Sequence, residues 1–175
     1  MKLNQPAWTA QLPTKTVLNI ATLGPVGMKM AAPGTWGSVA GILFFVVCFV
    51  GIAPIGVLGT VICSIGVGYL AVGFCGEAEI RMGKRDPGEI ILDEVVAMPL
   101  CFLGWQMIVV PTPLAFLGLL VVGFGLFRFF DIRKPWVINS LQELPGGWGV
   151  VLDDTAAALA TCATLHLAHL IWVLV

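Results

Sequence analysis

The sequence predicts an all-α integral membrane protein, a helical bundle of about five spanning helices. Hydrophobic residues make up 58% of the 175 residues and charged residues only 11%, with a mean hydropathy of +0.98, whereas a soluble domain carries about 25% charged residues. The nine basic and ten acidic residues also fall within three intervals, 2–29, 77–94 and 128–154. Long uncharged stretches separate these intervals, as expected for a chain that crosses a membrane repeatedly.

The uncharged stretches set the predicted helices, because a spanning helix needs about 20 apolar residues. The stretch 30–76 is long enough for two spans, and 155–175 for one. The stretch 95–127 holds two shorter spans, separated at Pro111 and Pro113, because proline disfavours a continuing helix. The predicted spans are 38–52, 55–76, 93–110, 113–130 and 152–174. The first is short, and a re-entrant segment is an alternative for it.

The N-terminal part is not predicted to span the membrane. Residues 1–15 are polar and lack the apolar core and small-residue cleavage site of a signal peptide. Residues 16–32 are semi-apolar and are predicted to form an interfacial helix. With the spans, these segments are predicted to form one membrane domain, residues 1–175.

Alternating passes place all three charged intervals on one membrane face. That face is predicted to be cytoplasmic by the positive-inside rule, because it holds a group of basic residues: Arg81, Lys84, Arg85, Arg133 and Lys134. The net charge of −1 and the lack of a basic tract argue against a nucleic-acid partner. No protein partner is predicted.

Two pairs of adjacent carboxylates, Asp93-Glu94 and Asp153-Asp154, lie where predicted spans begin. One explanation is that they are only helix-start acids, since a helix N-terminus favours negative charge by roughly 0.3–1 kcal/mol. However, four carboxylates on one face repel one another unless cations lie between them. Hard oxygen ligands suit Mg²⁺ bound together with a substrate phosphate. The pairs therefore predict a magnesium site at this face.

A third polar group lies in "FRFFDIRKPW", residues 127–136. Arg128 and Asp131 are three residues apart, so a plain salt bridge is one explanation. Arg128 and Lys134 are also predicted to bind a phosphate, the arginine as a bidentate fork and the lysine as a point charge. The hydroxyls of Thr35 and Ser38, in the turn "APGTWGS", are further candidates for phosphate contact. The alternative is that these two are capping and turn residues.

Three classes of protein remain open at this point. Metal-assisted attack by water is favoured, because His166 and His169 lie in the last span, away from the charged face, and no nucleophile motif is evident. A divalent-cation channel or transporter with an acidic cytoplasmic vestibule is the main alternative. A phosphoalcohol transferase would be expected to show a longer Asp-rich helix motif, which this sequence lacks.

The chain resembles the phosphatidylglycerophosphatase A family of bacterial inner-membrane lipid phosphatases. Four motifs carry the resemblance, in this order: "PGTWGS" at 33–38, "DPGEIILDEVVAM" at 86–98, "FRFFDIRKPW" at 127–136 and "GGWGVVLDD" at 146–154. The resemblance implies Mg²⁺-dependent removal of the terminal phosphate of phosphatidylglycerophosphate, a membrane phospholipid substrate, at the cytoplasmic face of the inner membrane. The family-type functional positions are Asp86, Asp93, Glu94, Asp131, Lys134, Asp153 and Asp154. Metal ligation is expected of five of them: Asp86, Asp93, Glu94, Asp153 and Asp154.

Overall fold

A computed structural model describes residues 6–52, 56–109 and 112–175, and all regular structure within these ranges is helical, as predicted. The α-helices are α1 (Thr14–Ala21), α2 (Pro25–Lys29), α3 (Pro33–Phe44), α4 (Gly56–Met82), α5 (Leu92–Cys101), α6 (Pro113–Arg133), α7 (Trp136–Leu141) and α8 (Gly147–Leu174). Short 3-10 helices lie at Ala7–Gln11 and Trp105–Met107, and α3 continues as a π-helix over Phe45–Ile52.

Within the described residues, four helices are long and apolar enough to cross a membrane. They are Pro33–Val50, which joins α3 to part of the π-helix, and α4, α6 and α8. The all-helical membrane class is therefore confirmed, but the count of five spanning helices is not. The first predicted span begins earlier than expected, at Pro33 instead of residue 38. The last also begins earlier, at Gly147 instead of residue 152.

The third predicted span, 93–110, differs most from the structure. Over the described residues 93–109, only the first part is α-helical, because α5 has 10 residues and is therefore about 15 Å long. Gly104 follows in the left-handed conformation, with φ of 68°. A right-handed helix cannot continue through a residue in this conformation, which glycine adopts readily. The chain still reaches the far end of the bundle, because Ile108 lines a pocket with Trp172 near the end of α8.

The predicted interfacial helix 16–32 is also divided. The structure forms α1 and α2 instead of one helix, because Leu23 and Gly24 both have positive φ, 49° and 63°. Pro25 then starts α2, in the first helical position that proline favours. The buried side chains of Val17 and Ala21 join an apolar cluster with residues of α4.

The short helix α5 lies at the centre of the bundle, in contact with α3, α4 and α8. Large buried side chains close the core below its first turn, among them Phe45, Phe102 and Phe127. Gly123 of α6 has no Cβ, which lets the ring of Phe102 pack against the α6 backbone. Residues at the beginnings of α3 and α5, at the end of α6 and near the beginning of α8 line one cavity, so these helix ends share one end of the bundle.

This arrangement predicts which loops share a membrane face. The helix α6 has 21 residues and is about 31 Å long, so Thr112 and Lys134 lie at opposite ends of the bundle. We expect cysteines introduced by Lys84→Cys and Glu143→Cys to react with a membrane-impermeant maleimide from one side. Thr112→Cys should react only from the other side. The wild-type protein, with its five native cysteines, is the control, and labelling of positions 84 and 112 from the same side would contradict the arrangement.

Candidate active site

A cavity of about 570 Å³ opens at the end of the bundle where α3, α5 and α8 begin. Its lining brings together residues from four separate parts of the chain, 27–34, 86–94, 128–134 and 153–154. Eight of the predicted site residues line it: Asp86, Asp93, Glu94, Arg128, Asp131, Lys134, Asp153 and Asp154. Glu89, which was not among the predicted site residues, adds a further carboxylate.

The first carboxylate pair lies in the first turn of α5. Asp93 and Glu94 are only 7% and 8% exposed, although they are acidic residues next to an apolar helix. The N-terminus of α5 contributes some stabilisation of their negative charge. That contribution is small compared with the several kcal/mol that burial of an unpaired charge costs. The helix terminus alone does not balance this pair.

The second pair lies deeper along its helix than the sequence predicts. Because α8 begins at Gly147, Asp153 and Asp154 lie in its second turn, where they are 2% and 4% exposed. The effect of a helix terminus falls off within its first turn. The interpretation of these two residues as helix-start acids therefore does not account for their burial.

Two basic side chains balance part of this charge. Arg128 Nη1 donates to Asp131 Oδ2 at 2.7 Å and to Glu94 Oε1 at 3.2 Å, so the predicted Arg128–Asp131 salt bridge forms but also extends to α5. Lys134 Nζ donates to Asp153 Oδ2 at 2.5 Å. Burial favours a lower pKa for Lys134, but the hydrogen bond and the charge of Asp153 outweigh it and raise the pKa above its ordinary value. The ammonium group is therefore charged at neutral pH.

Part of the negative charge has no protein partner. Three buried carboxylate oxygens in the described structure accept no hydrogen bond: Asp93 Oδ1, Glu94 Oε2 and Asp154 Oδ2. The cavity lining holds seven carboxylates and two basic side chains, so with every group ionised it carries five more negative than positive charges. A buried acceptor left without a donor costs about 1–3 kcal/mol, and more when it is charged. The cavity is therefore built to receive positive charge.

The donor set fits a divalent cation of the hard, oxygen-binding kind. Mg²⁺ is usually held by one or two carboxylates, with water and substrate oxygens completing its shell, and the three unpartnered oxygens are ligands of this type. In the described part of the chain, no three acidic, histidine or cysteine side chains lie close enough to enclose an ion by themselves. The residues therefore fit a cation that shares its coordination with substrate and water.

Two glycines of the "PGTWGS" motif bring α3 against Glu94. A Cβ on Gly34 would meet Glu94 Oε1, and one on Gly37 would meet Glu94 Oε2. The hydroxyls of this motif were predicted as candidates for phosphate contact, but the close approach that its glycines allow was not predicted. Their spacing of three residues, which places both on one helix face, was the available signal. The absence of side chains at these two positions lets the Glu94 carboxylate fit between α3 and α6.

The structure does not bring the two motif hydroxyls into the cavity. Ser38 is fully buried, and its hydroxyl donates to the Gly34 carbonyl at 2.9 Å. Neither Ser38 nor Thr35 is among the residues that line the cavity. The prediction that they contact the substrate phosphate stays a prediction, whereas the contact of this helix with the site that the structure shows is made by its glycines.

The histidines lie away from the cavity, as the sequence predicts. The His166 ring nitrogen Nδ1 lies 2.9 Å from the Cys162 carbonyl oxygen, within α8. His169 lines a separate pocket with Trp172 near the end of that helix. Neither residue is placed to act on a ligand in the acidic cavity.

The fold and this cavity together define a helical membrane protein with an acidic, cation-accepting site at one end of its bundle. Residues 19–169 match the family model described as phosphatidylglycerophosphatase A. The chain belongs to this family of phosphatase enzymes, which confirms the resemblance carried by the four motifs.

Two relatives carry the family name. Phosphatidylglycerophosphatase A of Haemophilus influenzae is 35% identical over 141 residues, which cover 76% of this chain and 76% of that protein. Phosphatidylglycerophosphatase A of Escherichia coli strain K12 is 28% identical over 147 residues, or 80% of this chain and 76% of that protein. A putative phosphatidylinositol-3-phosphatase of Bacteroides thetaiotaomicron is 25% identical over 150 residues, covering 85% of this chain and 89% of that protein. No solved structure gives a significant match.

Proposed function

We propose that this protein removes the terminal phosphate of phosphatidylglycerophosphate, with Mg²⁺, and so produces phosphatidylglycerol. The observation that carries the proposal is the set of buried carboxylate oxygens without a partner, in a cavity formed by the motifs shared with the family. The names of the two relatives from Haemophilus influenzae and Escherichia coli support the substrate. We place the protein in a bacterial inner membrane with the cavity facing the cytoplasm, in agreement with the positive-inside rule.

In this proposal the cation is held by carboxylates from α5 and α8. Asp93, Glu94 and Asp154 each have an unpartnered oxygen, and one or two of these carboxylates would bind the ion while substrate and water complete its shell. Asp153 and Asp86 lie beside them in the same lining. When bound, Mg²⁺ supplies Lewis-acid stabilisation of the charge on the phosphate oxygens. The positive charge of the ion would also neutralise part of the excess negative charge of the cavity, which otherwise repels a phosphate dianion.

The chain's own residues supply the remaining parts of the hydrolysis. Arg128 and Lys134 bring positive charge to the phosphate, and Asp131 orients Arg128 through the 2.7 Å hydrogen bond. A water oxygen forms a bond to phosphorus while the bond from phosphorus to the glycerol oxygen breaks. A carboxylate of the cavity accepts the proton of the water, and the glycerol oxygen leaves as a hydroxyl group after it takes up a proton. The acyl chains remain in the bilayer throughout.

The alternative of a cation channel or transporter gains no support from the structure. The buried carboxylates gather at one end of the bundle. Below them, Phe45, Phe102 and Phe127 fill the core and are at most 2% exposed. A conducting path would need polar groups or water through this region.

The proposal predicts a preference for lipid phosphate monoesters. We expect rapid phosphate release from phosphatidylglycerophosphate in mixed micelles and much slower release from soluble glycerol 3-phosphate, because the bilayer holds the lipid headgroup at the cavity. Chelation of Mg²⁺ should reduce release to background, and added Mg²⁺ should restore it. Phosphatidic acid and phosphatidylinositol 3-phosphate should be compared in the same assay, since the name of the Bacteroides thetaiotaomicron relative indicates another headgroup. Equal rates on soluble and lipid monoesters, or release that does not depend on Mg²⁺, would contradict the proposal.

A further inference from the structure

A second cavity adjoins the acidic one at Asp86. It has a volume of about 460 Å³ and is lined by Arg85, Asp86, Asn139, Gln142 and Glu143. Asp86 is the residue that lines both cavities. The contacts that Asp86 makes in the second cavity therefore affect the orientation of its carboxylate toward the acidic cavity.

The backbone of Asp86 is held in an uncommon conformation. Its φ is +46°, in the left-handed region that residues with a Cβ seldom adopt. Such a conformation persists where the surrounding structure over-determines it, and it is enriched at functional sites. One such restraint is direct: the Asp86 backbone N–H donates to Glu79 Oε1 of α4 at 2.6 Å.

The side chain of Asp86 is restrained from the opposite side by Gln142. Gln142 Nε2 donates to Asp86 Oδ2 at 2.6 Å. The amide nitrogen has to face the carboxylate, because an ionised carboxylate only accepts hydrogen bonds. This bond occupies one carboxylate oxygen and leaves the other free of Gln142.

Gln142 is itself fixed by two neighbours. Arg85 Nη2 donates to the backbone carbonyl oxygen of Gln142 at 2.7 Å. The start of α8 lies against the same backbone carbonyl group. Gly149 has no side chain, and a Cβ added there would lie 2.9 Å from the Gln142 backbone oxygen. Gln142 therefore joins the loop that carries Asp86 to the helix that carries Asp153 and Asp154.

We propose that Gln142 is a positioning residue that aims the Asp86 carboxylate into the acidic cavity. This inference rests on the proposed function, in which Asp86 is one of the carboxylates around the cation. Gln142 is not among the residues that line the acidic cavity. It acts by holding one oxygen of Asp86 and directing the other toward the carboxylates of α5 and α8.

The first test compares two amide-to-alanine variants in the same segment. We expect Gln142→Ala to raise the Mg²⁺ concentration for half-maximal phosphate release by about 10-fold, the lower end of the range seen when a partner of a metal ligand is removed. The Mg²⁺ concentration needed to raise the melting temperature of the purified protein should shift in parallel. Asn139→Ala is the control, because Asn139 lines the same cavity but is not the hydrogen-bond partner of Asp86. Its two Mg²⁺ responses should match the wild type.

The second test separates positioning from a purely structural bond. The double variant Asp86→Asn with Gln142→Glu keeps the hydrogen bond, with donor and acceptor exchanged, and keeps the net charge. We expect its melting temperature without Mg²⁺ to match the wild type, while the Mg²⁺ concentration for activation remains raised, because the carboxylate now lies at position 142. Full recovery of the Mg²⁺ response in the double variant would overturn the inference.

Failure of the inference and failure of the proposed function give different results. An unchanged Mg²⁺ response in Gln142→Ala, beside a wild type that responds, overturns the role of Gln142 alone. A wild-type protein that neither releases phosphate with Mg²⁺ nor gains thermal stability from it contradicts the proposed function, and the inference with it.

Discussion

Asp154→Asn is expected to lower the rate of phosphate release by about 100-fold or more, a loss typical of removing one electrostatic contact to a transition state. The folded protein should be at least as stable as the wild type. Asp154 is 4% exposed and its Oδ2 has no hydrogen-bond donor, so its charge is a cost to the fold in the absence of a cation. Asp93→Asn should behave in the same way, because its Oδ1 is also unpartnered.

Asp153→Asn is the matched comparison, since it changes the neighbouring residue of the same helix. It should also lose activity, but it should destabilise the protein, because its carboxylate pairs with Lys134 and the variant leaves that ammonium group without its counterion. Phosphate release and the melting temperature, both measured in detergent micelles, check these expectations. Near-normal release from Asp154→Asn or Asp93→Asn would show that these acids are not part of the reaction.

Gly37→Ala is expected to lower activity more than 10-fold through the position of Glu94. An added Cβ would meet Glu94 Oε2 and would lie 2.9 Å from the Ile91 Cβ. Because overpacking of this kind costs about 1–3 kcal/mol, either the carboxylate or the whole of α3 has to shift. Gly34→Ala should act similarly, because its Cβ would meet Glu94 Oε1 and lie 3.0 Å from Arg128 Nη1.

Gly118→Ala and Gly125→Ala provide matched controls for these variants. Both glycines lie in the spanning helix α6, and a Cβ on either would meet no atom within 4 Å. These controls should keep wild-type activity and stability. Phosphate release and thermal unfolding of the four variants, measured side by side, test the expectation. Activity of Gly37→Ala equal to that of the controls would mean that the close approach of α3 to Glu94 does not matter for the site.

The sequence was sufficient for the class of the fold and for most of the charged residues of the site. Helices that face lipid must be apolar along their length, since lipid offers no hydrogen-bonding partners. The spans and the charged intervals were therefore visible in composition. The acids of α5 and α8 could be identified because charge beside a long apolar segment is costly and uncommon.

Helix lengths were less predictable from the same pattern. An apolar stretch fits a long spanning helix and a short buried helix equally well, so 93–110 gave no sign that α5 ends at Cys101. That end depends on the left-handed Gly104, at which the right-handed helix stops. The start of α8 at Gly147 was likewise hidden, because it depends on a close approach to the Val72 carbonyl of α4.

By itself, therefore, the sequence determined that this is an all-helical membrane protein of the phosphatidylglycerophosphatase A family and which acids and bases gather at one end. Only the tertiary structure decided how they are paired: Arg128 with Glu94 and Asp131, Lys134 with Asp153, and three carboxylate oxygens with no donor. It also showed that Gly34 and Gly37 of α3 approach the Glu94 carboxylate. The physical reason is that burial and pairing depend on distances between helices far apart in sequence, whereas the preference of a residue for lipid or water is already a property of its side chain.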